Sequence, residues 1–361
     1  MVTPSRITLA RKRRGLTLAE LSEAVGVSLQ SLSNYETGRT RPRTSTLSRL
    51  ATALDFPVAF FSAPEIDELP AEGISWRARS KTPPRVLEAA RAAGGLATQL
   101  HEWIESRFRL PVVDVPTLGK PDPETAAEMV RRRWGLGSAA APNMIHLLEA
   151  HGVRVFSLDP DYAEVDAFAV WQGPVPFVFL NTGKTGERSR FDAAHELGHL
   201  VMHGHDRSCT GPTAEKQANE FASAFLMPAS SVLGHVPRGA HVDQILEAKR
   251  IWRVSAMALT YRLHDLGLLS DWQYRSACAE LSKRGYRSDE PAGIKHETSQ
   301  VLAKVFRGLR STGVRASDVA AELAISVDEL NKMLFGLTIT AVEGGRTGPA
   351  LTRNHRLTLV R

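Results

Sequence analysis

His195, Glu196 and His199 stand in the order His-Glu-x-x-His, with Leu197 and Gly198 between them. On a helix, positions i and i+4 share one face about one turn apart. Two imidazoles so placed can grip one Zn2+, and the glutamate between them can act as a general base toward water. Such a helix must be buried on one side, and Phe191, Ala194, Leu197, Leu200 and Val201 supply an apolar side. A catalytic zinc also needs a third protein ligand and one open position. Glu215, sixteen residues after His199, opens the next helical stretch and is the preferred third ligand. Glu220 is its rival, but it lies about 140° around that helix, so the two are not expected to reach one metal. Asn219 stands one turn beyond Glu215 and can hydrogen-bond a ligand histidine from behind. His203 falls two turns after His195 and is read as a capping or supporting histidine rather than a ligand. No residue presents itself as an oxyanion donor.

A second constellation lies in residues 17–38. Thr17 and Glu20 have capping-box spacing. Leu18, Leu21 and Val25 give a first helix its buried stripe, and Gly26 supplies a turn at positive φ. Ser28 caps a second helix in which Leu32 and Tyr35 face inward, and Gly38 ends it. Two short helices joined by a glycine turn are what major-groove readers use. Ser28, Gln30, Ser31 and Asn34 are the candidates to face base edges, and Arg39, Arg41 and Arg43 to hold phosphates. Residues 1–62 carry nine Lys/Arg against four Asp/Glu, five of the six net positive charges of the whole chain. A local basic excess is the footprint of a polyanion partner, here double-stranded DNA.

Several elements must position these groups. Residues 5–56 read as four or five short helices, and the Pro- and Gly-punctuated stretch 62–82 as a linker. A long Ala-rich helix is expected over 85–108, and another over 123–134. The period then changes to strands over 153–157, 166–171 and 177–180. Helices return over 191–203 and 215–226, the latter stopped by Met227-Pro228. Further helices run to about residue 335, including a helix-turn-helix rhythm over 316–337 read as a packing or dimerisation piece. The stretch 344–361 reads as a loose tail. The fold class is thus α+β, mostly α. The expected divisions are a helix-turn-helix bundle over 1–62, a linker and long helix over 63–122, a metal-binding domain with a small sheet over 123–292, and a helical element with a tail over 293–361.

Composition agrees with such a chain. At 361 residues, 43% hydrophobic and 23% charged, it can fill two or three domains and is not globally disordered. No run of 18 apolar residues occurs, and the first fourteen residues lack an apolar core, so neither a membrane span nor a secretory signal is expected. Two cysteines, Cys209 and Cys278, give no disulfide framework, are read as inert thiols, and fit a cytoplasmic location. Arg131-Arg132-Arg133 is read as a solvated charge run. Trp76-Arg77-Ala78-Arg79 is read as packing rather than DNA contact.

Residues 5–61, with Ser33-Asn34-Tyr35-Glu36-Thr37-Gly38 at their centre, resemble the Xre-type helix-turn-helix family. Residues 190–200 (Arg-Phe-Asp-Ala-Ala-His-Glu-Leu-Gly-His-Leu), with Asp166-Ala167-Phe168, Leu180-Asn181, residues 215–222 and Phe225-Leu226-Met227-Pro228, resemble the ImmA/IrrE metallopeptidases. That resemblance implies a zincin-like fold, His195, His199 and Glu215 as zinc ligands, and Glu196 as catalytic base. It also implies a protein substrate, such as a partner repressor. One alternative is a non-cleaving repressor, antitoxin-like or phage-related, whose zinc domain serves sensing or assembly. Another is a peptidase whose helix-turn-helix binds protein. A homodimer is expected, because one helix-turn-helix reads few base pairs.

Overall fold

The computed structural model describes residues 1–70, 74–78, 81–119, 121–159, 164–204, 211–286 and 290–338. The tail over 344–361, Cys209, His205, Gly73 and Arg79 lie outside the described residues.

Four short helices open the chain: α1 (Pro4–Arg13), α2 (Leu18–Val25), α3 (Leu29–Glu36) and α4 (Thr44–Leu54). Thr17 and Glu20 form the capping box of α2, Gly26 turns the chain at φ 66°, and the Ser28 side chain caps α3. Ile7, Leu21, Val25, Leu32, Leu50 and Leu54 meet in the core of this bundle. The arginines of α1 are mostly spent inside the molecule. Arg6 donates to the Pro64 carbonyl at 2.7 Å, Arg11 pairs with Glu36 at 2.7 Å, and Arg13 and Arg14 pair with Glu329. The basic excess of residues 1–62 is therefore concentrated for a partner at Arg39, Arg41, Arg43 and Arg49, all exposed.

The stretch read as a linker is built into the fold. Ile66 and Leu69 are buried, and residues Ser75–Ala78 form a strand, β1. Then come α5 (Pro84–Glu105), α6 (Pro123–Arg133), α7 (Met144–Ala150), β2 (Arg154–Ser157), β3 (Val165–Gln172) and β4 (Val175–Leu180). The sheet order is β1-β3-β4-β2, with β1/β3 and β3/β4 antiparallel and β4/β2 parallel. β3 and β4 form a hairpin across Gly173-Pro174. Phe168, Phe177 and Phe179 are fully buried on these strands, and α5 packs against both α1 and β3.

Next is α8 (Gly186–Gly198), continued by a π-helical turn over His199–His203, and α9 (Pro212–Leu226). α8 begins five residues before the expected start, because Thr185 caps it by accepting from the Arg188 amide. Helices α10 (Ala229–His235), α11 (Val242–Trp252), α12 (Ala256–Asp265) and α13 (Asp271–Lys283) follow, then α14 (Gln300–Ser311), α15 (Ala316–Glu322) and α16 (Val327–Leu334). α16 packs on β2 and α14 on α7, so the 293–338 segment is covered by its own chain. The charge run on α6 is not uniformly solvated: Arg132 and Arg133 are exposed, but Arg131 is buried. It donates to the carbonyls of Gly137, Ala139 and Phe225, three acceptors that compensate its burial. Among the described residues, no helix is long and apolar enough to cross a membrane.

Candidate metal centre and nucleic-acid interface

α8 and α9 pack closely at Gly198. A Cβ there would stand 3.0 Å from the Phe221 ring and 3.3 Å from Ala218 Cα, so any larger residue would push the helices apart by a few tenths of an ångström. The approach carries Glu215, in the first turn of α9, over the face of α8 that bears His195 and His199. One ligand atom from each of the three lies within 4.8 Å of the other two. The two Nε2 atoms are 3.0 Å apart, and Glu215 reaches His195 Nε2 at 3.3 Å and His199 Nε2 at 3.2 Å. Glu220 instead lies 3.6 Å from Lys216, away from this cluster.

Hydrogen bonds from behind set the imidazole tautomers. His195 Nδ1 donates to Asn219 Oδ1 at 3.1 Å, which leaves the lone pair on Nε2 facing the cluster. His203 Nε2 donates to Gln217 Oε1 at 3.1 Å, so its Nδ1 accepts from His199 Nδ1 at 2.9 Å. That relay turns the lone pair of His199 Nε2 the same way. His203 thus touches the back of His199 and not the point where the Nε2 atoms converge.

Protonation states agree with this donor set. Burial lowers His195 to about 3, so its ring is neutral. Burial pushes Glu215 up, but its close polar contacts with His195 and His199 and the Ser75 hydroxyl outweigh it and bring the carboxyl well below its ordinary value. A neutral imidazole and a carboxylate are forms that ligate a divalent cation. Glu196 is fully buried, and neither carboxylate oxygen has a hydrogen-bond partner among the described residues. Burial holds its carboxyl well above the usual range, with Arg77 pulling the other way. An unpartnered buried carboxyl beside three converging donors fits a Zn2+ site with water at hand.

Two residues of the site were not among the site candidates read from the sequence, Arg77 having been read as packing. Ser75 Oγ donates to Glu215 Oε1 at 2.7 Å and lies 3.0 Å from His199 Nε2. Arg77 donates to Asn219 Oδ1 at 3.0 Å and lies 2.7 Å from Asp192 Oδ1. Both come from β1. The signal was present as alternation, with Ile74, Trp76 and Ala78 apolar and Ser75 and Arg77 polar, but four residues between prolines and glycines were too few to outweigh the linker reading. Trp76 packs its ring 4.7 Å from that of Phe168, on the face opposite the site. Beside Glu215, Asn219 and Arg77 a cavity of about 1080 Å3 opens, walled by Phe191, Tyr261 and Tyr274 among others.

At the other end of the chain, α3 buries only Leu32. Ser28 and Gln30 are exposed, Ser31 and Asn34 half-buried, and Gln30 Nε2 donates to Asn34 Oδ1 at 3.1 Å. Arg39, Arg41 and Arg43 follow on an exposed segment leading into α4. Neutral hydrogen-bonding side chains flanked by exposed guanidinium arms suit base edges and phosphates respectively.

Comparison with known proteins gives a family match over each of these two regions. Residues 7–61 match the helix-turn-helix family model, and residues 148–264 match the peptidase family model described as the IrrE N-terminal-like domain. Two curated relatives are described as uncharacterized HTH-type transcriptional regulators, one from Sinorhizobium medicae (strain WSM419) and one from Rhizobium meliloti (strain 1021). Each is 33% identical over 69 residues, which is 19% of this chain and 47% of the relative. The chain thus spans about half the length of the curated relatives it matches.

Proposed function

We propose that this chain, which carries a helix-turn-helix domain and an IrrE-like peptidase-family domain, is a transcriptional regulator that binds double-stranded DNA and hydrolyses a protein partner, such as a repressor. The observation that carries the peptidase half is the convergence of His195, His199 and Glu215 beside the unpartnered carboxyl of Glu196. In this reading His195, His199 and Glu215 hold Zn2+. When bound, the zinc supplies Lewis-acid polarisation of a scissile carbonyl. Glu196 takes a proton from the attacking water and can return it to the leaving amine. Asn219 and His203 fix the ring orientations of His195 and His199. The test is cleavage of a proteome-derived peptide library, read as new termini by mass spectrometry. Zinc-loaded protein should generate them and chelator-treated protein should not; identical termini in both would overturn the peptidase reading.

The DNA half rests on α3 and the arginines after it. Ser28, Gln30, Ser31 and Asn34 would face base edges, and Arg39, Arg41 and Arg43 would hold phosphates, with two copies pairing on half-sites. Each phosphate contact contributes about 0.9 to the slope of log affinity against log salt on B-DNA. Arg41→Ala should therefore lower that slope by about one, in fluorescence anisotropy with a labelled duplex. Arg11→Ala should leave it unchanged, since Arg11 is committed to Glu36. Equal slopes for wild type and Arg41→Ala would remove Arg41 from the interface.

A further inference from the structure

β1 lies where a second peptide chain could lie. It is the outermost strand of the sheet, paired antiparallel with β3 in the register Ser75↔Ala169, Trp76↔Phe168 and Arg77↔Ala167. Without it, the row of amides and carbonyls along β3 would be an open edge, the surface to which extended peptides add by main-chain hydrogen bonds. Strand alternation then sends every second side chain to one face. In β1 these are Ser75, whose hydroxyl reaches Glu215 and His199, and Arg77, which reaches Asn219 and Asp192. The intervening Trp76 fills the opposite face against Phe168.

We infer that β3 is the docking edge for the extended peptide this domain acts on, and that Ser75–Ala78 is its resident occupant, which a substrate strand must displace. Ser75 Oγ stands within hydrogen-bond distance of two of the three proposed ligands, so while β1 is in place a peptide carbonyl and an attacking water compete with that hydroxyl for the same space. The cavity beside Glu215 and Asn219 leaves room for the chain that continues past the scissile bond. In sequence β1 follows the helix-turn-helix bundle, and between them Ile66 and Leu69 pack on α5. Release of β1 is thereby tied physically to the seating of the DNA-binding unit. The inference takes its substrate class from the peptidase reading, but the position of the strand rests on the sheet alone.

A fluorescein-labelled peptide with the sequence of residues 74–81 tests it by anisotropy, without reference to catalysis. A tethered strand acts at an effective concentration of about 1 mM. The wild type should therefore bind the peptide at least tenfold more weakly than Trp76→Gly/Arg77→Gly, in which β1 loses its ring contact and its ion pair. Equal affinity in two proteins with the same circular dichroism would overturn the inference. Should the variant not fold, hydrogen exchange on the wild type decides. Millimolar unlabelled peptide should deprotect amides 74–78 while leaving 165–172 protected, and unchanged protection of 74–78 would overturn the inference. A zinc-loaded wild type whose amides 74–78 deprotect under the peptide, yet which cuts nothing, sinks the peptidase reading and leaves the strand in place. Wild type and variant that cleave at equal rates with equal peptide affinity sink the strand and leave the peptidase.

Discussion

Glu196→Gln should reduce cleavage by about 10²- to 10⁴-fold, the usual contribution of a positioned general base. It should do so without loss of bound zinc or of folding. The two losses separate because both Glu196 oxygens are buried without a hydrogen-bond partner among the described residues. Its carboxyl is pushed up by burial, so an ionised Glu196 is a strain on the folded state at neutral pH. A neutral isostere removes that strain, and the thermal midpoint of the metal-free variant should equal or exceed that of the wild type. A buried group that weakens the fold is retained for chemistry, since activity and stability often oppose each other at such sites. Activity and midpoint falling together would instead make Glu196 a structural residue. Metal analysis on the same samples guards against the third possibility, that the substitution acts by emptying the site.

Glu329→Ala should destabilise the protein by about 3–5 kcal/mol, the range for breaking a buried ion pair from one side. Glu329 sits in the first turn of α16, below Ser326, and is almost fully buried. It accepts from Arg13 Nε, and from Arg14 Nη1 at 2.9 Å. Arg13 also reaches Asp159 at 2.9 Å, and Lys332 closes the group at 3.0 Å from the same carboxylate. Alanine would leave a buried guanidinium without its Glu329 carboxylate, at the seam between the first helix of the DNA-binding bundle and the C-terminal helices. Burial raises the Glu329 carboxyl, but Arg13 and Arg14 overcome this and hold it below its ordinary value of 4.5. A depressed folded-state pKa means that this stabilisation is complete above about pH 4.5 and is lost as the pH falls through the folded value. Urea unfolding of the wild type should therefore weaken on acidification below that point, and the variant should show less of this dependence. A variant as stable as the wild type at pH 7 would show the network to be neutral.

Much of this was legible in the sequence because it is local. Thr17 with Glu20, Gly26, and Ser28 each act within one turn of chain, so the helix-turn-helix could be read from residue order. The same holds for His195 and His199, whose common face follows from helical spacing, and for Glu215 against Glu220, which the turn of α9 separates. What was not legible depends on partners far along the chain. β1 is four residues long, and its strand character comes from β3 some ninety residues later. Ser75 therefore looked like linker, although it ends beside Glu215. Arg131 looked solvated because the carbonyls that receive it belong to residues 137, 139 and 225. The arginines of α1 counted toward a basic surface until Glu36, Asp159 and Glu329 claimed them. Net charge is a property of composition, but available charge is a property of packing.

The measurement that bears most directly on the central claim is the zinc content of the purified protein after reconstitution and dialysis, with Glu215→Ala alongside. His195, His199 and Glu215 acting as one ligand set predict about one zinc per chain in the wild type. In Glu215→Ala, two imidazoles remain without their carboxylate, and zinc should be lost or its affinity weakened by about 100-fold or more. A wild type that retains no zinc, or a Glu215→Ala protein that holds it as tightly as the wild type, would contradict the account.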